Sequence, residues 1–339
     1  MDGDKKMNDS SRNRAPVASA AVAVMAAMAL FSALPLMAQE AYPGKPITMV
    51  VPFPPGGAAD IVARPVAEAM GRYLKQPVVI ENKAGAGGGI GMAQVAKARP
   101  DGYSVLLALS SIVVLPEADA VLKRAPMFTL SQLKPIARFT ADPVVLVVNA
   151  NSPWKDFKQF SAAAKAKPGG YSFGSSGNYG TMHVPMEQLK AATNTSVLHI
   201  PYTGAGPAVV ALLGGQVDLL ATGPSTVTSH IQAGKLRALA QWGNGRIPTL
   251  ADVPSLKELG IPVTYSQWTG LFVPASTPDA VVARLREAAK FAATDARVVQ
   301  SLQTAGTYMQ YQDTPEFTSF VAQEAGVMAK VVQRIGKLE

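Results

Sequence analysis

Short apolar runs alternate with helical patterns along most of this chain, and that rhythm narrows the possible folds more than any other feature. ITMVV at residues 47–51 is followed by a helical pattern from about Ala58 to Tyr73, then PVVIEN at 77–82, a glycine loop, a helical pattern near 91–98 and YSVLLAL at 103–109. Strand, helix, strand in this order predicts a parallel-rich sheet covered by helices, joined by right-handed crossovers. A second block of the same kind opens with VVLVVNA at 144–150. It continues through a helix around 155–167, YSFGSSGNYGT, a helix in MEQLKAAT, SVLHIPYTGAG, a helix in PAVVALLGG, and VDLLATGPST. LRALAQ at 236–241 and PVTYSQWTGLFV at 262–273 read as strands able to return the chain to the first unit, and VVARLREAAKFAA belongs to a helical tail. The expectation is two α/β units, and 339 residues with 48% hydrophobic and 16% charged content suffice for two cores.

The start of the chain predicts export. Lys5, Lys6, Arg12 and Arg14 form a basic head, and Ala15 to Ala38 carries no charge and ends in ALPLMAQEA. This is the pattern of a signal peptide over residues 1–38, with Pro35 just before a cut after Ala38 and a periplasmic destination. A membrane anchor of the same length is the rival reading; the small residues at the end and the lack of a stop-transfer cluster weigh against it. With no cysteine, the chain has no lipidation site, disulfide, thiolate metal ligand or cysteine nucleophile. The 31 Lys and Arg against 23 acids give a formal +8. These residues are scattered and do not interleave with aromatics, so nucleic acid is not an expected partner.

VPFPPGGAAD, residues 51–60, ends a strand and opens a helix through two glycines. Such a turn lies at the carboxyl edge of a sheet, where open α/β folds bind ligands. There Gly56, Gly57 and Ala58 form an anion cradle of free backbone N–H groups at the positive end of a helix. Asp60 has two readings, a first-turn acid that complements the dipole or a partner for a ligand's hydroxyl or ammonium group. Pro65, one turn in, predicts a kink or a later helix start. AGAGGGIG at 84–91 brings Gly87 and Gly88, read either as a second bare loop on the same cleft or as a helix–sheet packing device. In the second unit, Ser175, Ser176, Asn178, Tyr179 and Thr181, then Tyr202 and Thr203, then Thr222 and Ser225 lie on three helix-entering loops. Singly each fits ordinary capping; three such loops together make a polar pocket.

Enzymatic readings find little support. The glycines of 84–91 do not satisfy G-x-G-x-x-G, no P-loop occurs, and His183, His199 and His230 lack zinc-site spacing, so neither a cofactor nor a metal is expected. Gly174-Ser175-Ser176-Gly177 misses the serine-hydrolase elbow by one residue, and His183 follows close by, which keeps a hydrolase using Ser175 or Ser176 as a distant alternative.

Taken in order, YPGKPITMVVPFPPGGAADIVAR, VVIENKAGAGGGIG, ARPDGYSVLLA, YSFGSSGNYGTMH, HIPYTGAGPAVVALLGGQVDLL, AGKLRALA and GLFVPASTPDAVVARL resemble the Bug receptors. These are the TctC-like extracytoplasmic solute-binding proteins of tripartite tricarboxylate transporters, and the resemblance runs from about Tyr42 to the C-terminal region. It implies an α/β, two-lobed periplasmic-binding-protein fold of the Venus-flytrap, type II-like kind, with a two-strand hinge. Lobe 1 would comprise 42–142 plus 267–339 and lobe 2 143–266, with hinge strands near 136–148 and 262–272. Trp268 would sit near a hinge or serve as a buried packing residue. The family's pocket loops match Phe53 to Asp60, including Pro55, and on the opposite lobe Ser175 to Thr181, Tyr202 to Gly204, and Thr222, Gly223 and Pro224. Pro65 replaces a usual aliphatic residue, and Asn178-Tyr179 stands where smaller residues are common.

The resemblance implies capture of a small organic carboxylate (a di- or tricarboxylate, an acidic amino acid or an aromatic acid) by a monomer, with permease subunits of the transporter as partners. A ligand-sensing role beside a membrane sensor kinase is the alternative.

Overall fold

The computed structural model describes residues 1–3 and 42–336; the signal peptide expected over residues 1–38 lies almost wholly outside them. From Tyr42 onward the chain builds two five-stranded sheets. The first has the order β2-β1-β3-β10-β4, with β1 Ile47–Val51, β2 Val78–Asn82, β3 Ser104–Leu109, β4 Leu133–Pro143 and β10 Ser266–Pro274. The second has the order β7-β6-β8-β5-β9, with β5 Val145–Asn149, β6 Ser172–Ser175, β7 Leu198–Pro201, β8 Leu219–Thr222 and β9 Leu236–Gln241.

Both sheets share one plan. β1 runs parallel to β2 and β3, and β6 runs parallel to β7 and β8. A single strand is reversed in each, β10 between β3 and β4, and β5 between β8 and β9. Each reversed strand is the one that enters from the other lobe: β5 follows β4 across Val144, and β10 follows β9 across residues 242–265. The two crossings are tied together, because Trp242 N–H donates to Val144 O and Tyr265 N–H donates to Trp242 O. Strands buried on both faces explain why VLLAL and VLVV read as continuous apolar runs rather than as alternation.

The helices are α1 Ala58–Leu74, α2 Gly89–Ala96, α3 Leu115–Val121, α4 Phe157–Ala166, α5 Val184–Thr193, α6 Ala205–Leu213, α7 Thr228–Gln232, α8 Asp279–Thr294, α9 Ala296–Thr304 and α10 Thr314–Ile335. α1 begins at Ala58 and runs through Pro65 without a later start; the missing N–H leaves one carbonyl in the preceding turn without its helical donor. α10 packs over β4 and α3 of the first lobe and touches α5 of the second. Trp268, at the start of β10, is fully buried, with the rings of Phe317 and Phe320 edge-on at 5.6 and 5.7 Å. Among the described residues no helix is long and apolar enough to cross a membrane.

Candidate functional site

The turn after β1 is shaped by Asp60. Gly56 takes a φ of +75°, which a residue with a Cβ rarely adopts, and its N–H donates to Asp60 Oδ2 at 2.9 Å. Arg64 donates to both Asp60 oxygens at 2.8 and 2.9 Å, and Asn82 Nδ2 donates to Oδ1 at 2.9 Å and to Phe53 O at 3.0 Å. Burial alone would raise the Asp60 pKa, but these donors outweigh it and hold the carboxyl below its ordinary value. Asp60 is only 3% exposed and its carboxylate is engaged within the first lobe. It braces the loop. The N-cap, Gly57, offers no side-chain cap, so the first N–H groups of α1 stay without partners from that side chain at the helix's positive end.

Opposite this loop the lobes meet. Phe53, Gly57, Ala58 and Leu109 of the first lobe, Gln267 of β10, and Ser176, Thr181 and Ala205 of the second enclose a cavity of about 10 Å³. That is room for roughly one water molecule. None of the eight side chains is ionised, and Ser176 Oγ is buried with no hydrogen-bond partner in the structure.

Of the residues singled out from sequence, Phe53, Gly57, Ala58, Ser176 and Thr181 come together on this wall. Leu109, Ala205 and Gln267 were missed. Leu109 ends β3 and Ala205 opens α6, so the carboxyl-edge rule that picked out Gly57 reaches both. Gln267 sits on the reversed strand, and its place at the cleft follows only from the crossover topology.

Several other predicted residues form the seam between the lobes. A Cβ on Gly204 would lie 2.3 Å from Pro54 Cδ, and one on Gly206 would lie 3.6 Å from Pro55 O. A Cβ on Gly177 would lie 3.0 Å from Gly87 N, and one on Gly87 3.2 Å from Asn178 O. Gly88, with φ +102°, lies against the Phe53 ring, as the packing reading of that loop expects. Gly223 approaches Gln267, and a Cβ there would stand 2.8 Å from Nε2. Thr222 pairs with Thr226 at 2.9 Å and Thr228 donates to Pro224 O, both local turn contacts. The Tyr202 ring packs beside Gly174, while Asn178 and Thr203 are exposed. Tyr179 is buried, is not part of the cavity wall, and donates through its hydroxyl to Gly336 O at 2.7 Å.

Beneath the loop at 175–181 lies a histidine pair that sequence spacing did not reveal. His199 Nε2 is 2.6 Å from Ser175 Oγ, and Gly177 N–H also donates to that oxygen. The His183 and His199 rings stack at 4.1 Å. Burial, and then the neighbouring His183, push His199 down to about 3, so it stays neutral at physiological pH. Strand pairing brings His199, not the sequence-near His183, to Ser175, since Phe173 and His199 are register partners in β6 and β7. Ser175 is fully buried and off the cavity wall; the serine that faces the cavity, Ser176, has no histidine partner. Among the described residues no group of three His, Asp or Glu is placed to hold a metal.

Residues 62–337 match the family described as "Tripartite tricarboxylate transporter family receptor". The chain belongs to this receptor family. It is 35% identical over 298 residues to protein BugT of Bordetella pertussis, covering 88% of this chain and 91% of BugT. Among solved structures it is similar to MatC of Rhodopseudomonas palustris with bound malate, at 29% identity and a TM-score of 0.79, covering 86% of this chain and all of MatC. It is also similar to an R. palustris protein solved with adipate, at 25% identity and a TM-score of 0.81, covering 87% of this chain and 98% of that one. The receptor family accounts for the two-lobed periplasmic-binding-protein fold.

Proposed function

We propose that this receptor captures a small dicarboxylate between its lobes in the periplasm, after loss of residues 1–38, and presents it to the permease subunits of a tripartite transporter. The observation that carries the reading is the pairing of an N-terminus of α1 without a side-chain cap with the buried, unpartnered Ser176 Oγ across one cavity. The N–H groups at 58–60 would donate to one carboxylate, and Ser176, Thr181 and Gln267 would supply neutral donors to the remainder. With no Lys or Arg on the wall, selectivity would come from length and hydrogen-bond geometry. Malate and adipate in two relatives support the dicarboxylate class. A cavity of about 10 Å³ admits such a molecule only after the lobes separate, so capture would be an opening and closing about the tied crossings.

Thermal shift of the purified protein against C3 to C6 dicarboxylates, citrate, acidic amino acids and benzoate-type acids tests this. A ligand that binds only the native state stabilises it by RT ln(1 + [L]/Kd), so about 100 Kd of dicarboxylate adds about 2.7 kcal/mol. A response to dicarboxylates above the other acids is expected. A flat response to every dicarboxylate would refute the reading.

A further inference from the structure

A cavity larger than that of the cleft lies elsewhere in the molecule. It is a groove of about 760 Å³ behind the cleft, between α5 of the second lobe and α10 of the first, with residues 262–264 of the crossover along one side. That volume lies within the range of small-molecule sites. Its apolar floor is a helical stripe on α10, Val327, Met328, Val331 and Ile335, joined by Val263. Val327 is 46% exposed and Val331 and Ile335 are half-buried, while Met328 is buried.

The charged groups of the groove are unbalanced. Lys190 is paired with Glu187 at 2.7 Å, whereas Arg334 is exposed and has no ion-pair partner among the described residues. Two cations and one carboxylate leave one positive charge beside an apolar floor. A ligand with one carboxylate and an apolar body fits this arrangement. A dicarboxylate does not, because its second charge would lie desolvated on the floor. A nucleotide finds no aromatic side chain on which to stack.

The groove touches the cleft loop from two sides. Gly336, next to Ile335, accepts the Tyr179 hydroxyl. On the other wall Glu187 Oε1 is 3.4 Å from His183 Nε2, and His183 Nδ1 accepts the Tyr179 N–H at 3.1 Å. Tyr179 lies between Ser176 and Thr181, both on the cleft wall. We propose that the groove between α5 and α10 is a second ligand site, for an amphipathic monocarboxylate, and that its occupancy is linked to capture in the cleft. Because the walls come from both lobes, an occupant senses their separation, and the linkage is reciprocal: octanoate changes dicarboxylate affinity by the factor by which the dicarboxylate changes octanoate affinity.

Calorimetric titration of the purified protein with octanoate tests the site. Wild type is expected to bind it, Arg334→Glu at least tenfold more weakly, and Arg297→Glu, the same charge reversal at an exposed residue outside both the groove and the cleft, as wild type does. Absence of octanoate binding, equal binding by Arg334→Glu, or the same loss in Arg297→Glu would each overturn the proposal. So would a protein that takes no octanoate but whose Arg334→Glu variant fails only in permease-coupled uptake, which would make the groove a docking surface. The linkage rests on the reading of the cleft as a dicarboxylate site: a several-fold change in malate or adipate affinity at saturating octanoate supports it, and an unchanged affinity removes it. Octanoate binding without any dicarboxylate binding would count against the cleft reading and leave the groove site standing.

Discussion

Gly204 caps α6 from the second lobe, and a methyl group built there would lie 2.3 Å from Cδ of Pro54 in the first. Carbon atoms in good contact sit about 3.5–4.0 Å apart, so Gly204→Ala leaves a shortfall of more than about 1 Å. The Gly204 φ of 167° is extended backbone open to any residue, so alanine meets no local strain. Pro54 has a rigid ring, and the relief available is a wider gap between the lobes. Overpacking of this size costs about 1–3 kcal/mol. Charged to the closed arrangement alone, it weakens dicarboxylate binding roughly 5- to 150-fold, since about 1.4 kcal/mol is tenfold. The melting temperature without ligand should hold or rise slightly, because alanine restricts the unfolded chain more than glycine does. Calorimetric affinity for malate or adipate, with small-angle scattering of the ligand-saturated protein, reads both consequences. Gly214→Ala, at the far end of the same helix, where an added Cβ comes no closer than 3.4 Å to its neighbours, serves as the control. If Gly204→Ala binds within twofold of wild type and is equally compact, the seam does not set closure and the reasoning fails.

Two further substitutions probe the ionisable groups. Asp142, buried at the end of β4, is pushed up to about 6 by burial, against hydrogen bonds from Thr307 and the Tyr308 N–H. A carboxyl that holds its proton more tightly when folded loses stability as pH rises from about 4 to 6 and does not regain it above that. Asp142→Asn keeps an acceptor for Thr307 and should stabilise the protein at pH 7.5 by on the order of 3 kcal/mol, seen as a higher melting temperature, but not at pH 4. Equal gains at both pH values would contradict this. Asp60 has the opposite sign: its pKa is depressed, so the stability it contributes is present above about pH 4 and is lost as pH falls through its folded value. Asp60→Asn should flatten that acid loss and, by loosening the Gly56 turn, weaken dicarboxylate binding roughly tenfold. Unchanged affinity at pH 7 would show that the turn holds its shape without the carboxylate.

The alternation of apolar runs and helical patterns was sufficient to place most strands, because short strands buried on both faces leave continuous apolar sequence and glycine-rich turns punctuate them. Gly57 and Ala58 were legible as a cleft edge for the same local reason: their role depends on a strand–turn–helix that the sequence spells out. Gln267 and the Ser175–His199 contact were not, because each depends on which strands become neighbours. His199 reaches Ser175 through the β6–β7 register, and Gln267 reaches the cleft because β10 returns from the other lobe. Asp60 was ambiguous between cap and ligand partner until Arg64, Asn82 and the Gly56 N–H were seen to converge on it.

The glycines divide along the same line, and the division says how the cleft works. Gly56 is needed for its own backbone angle, a property of the turn alone. Gly204 is needed because Pro54 arrives from another lobe, whereas Gly177, at a φ of +114°, is needed both for its own angle and for the approach of Gly87. A glycine conserving a turn acts whether the lobes are apart or together, whereas one that admits a neighbour acts only when they meet. Gly204, in extended backbone, therefore bears on closure and not on the stability of its own lobe. Arginine and lysine are absent from the cavity wall, so closure cannot be drawn by an ion pair across it. On the proposed reading, close backbone approach would let short neutral donors such as Ser176 and Thr181 reach a ligand held on the first turn of α1. On that reading the absence of side chains along the seam and the absence of charge on the wall are two parts of one solution: a ligand would be enclosed by bringing backbones together.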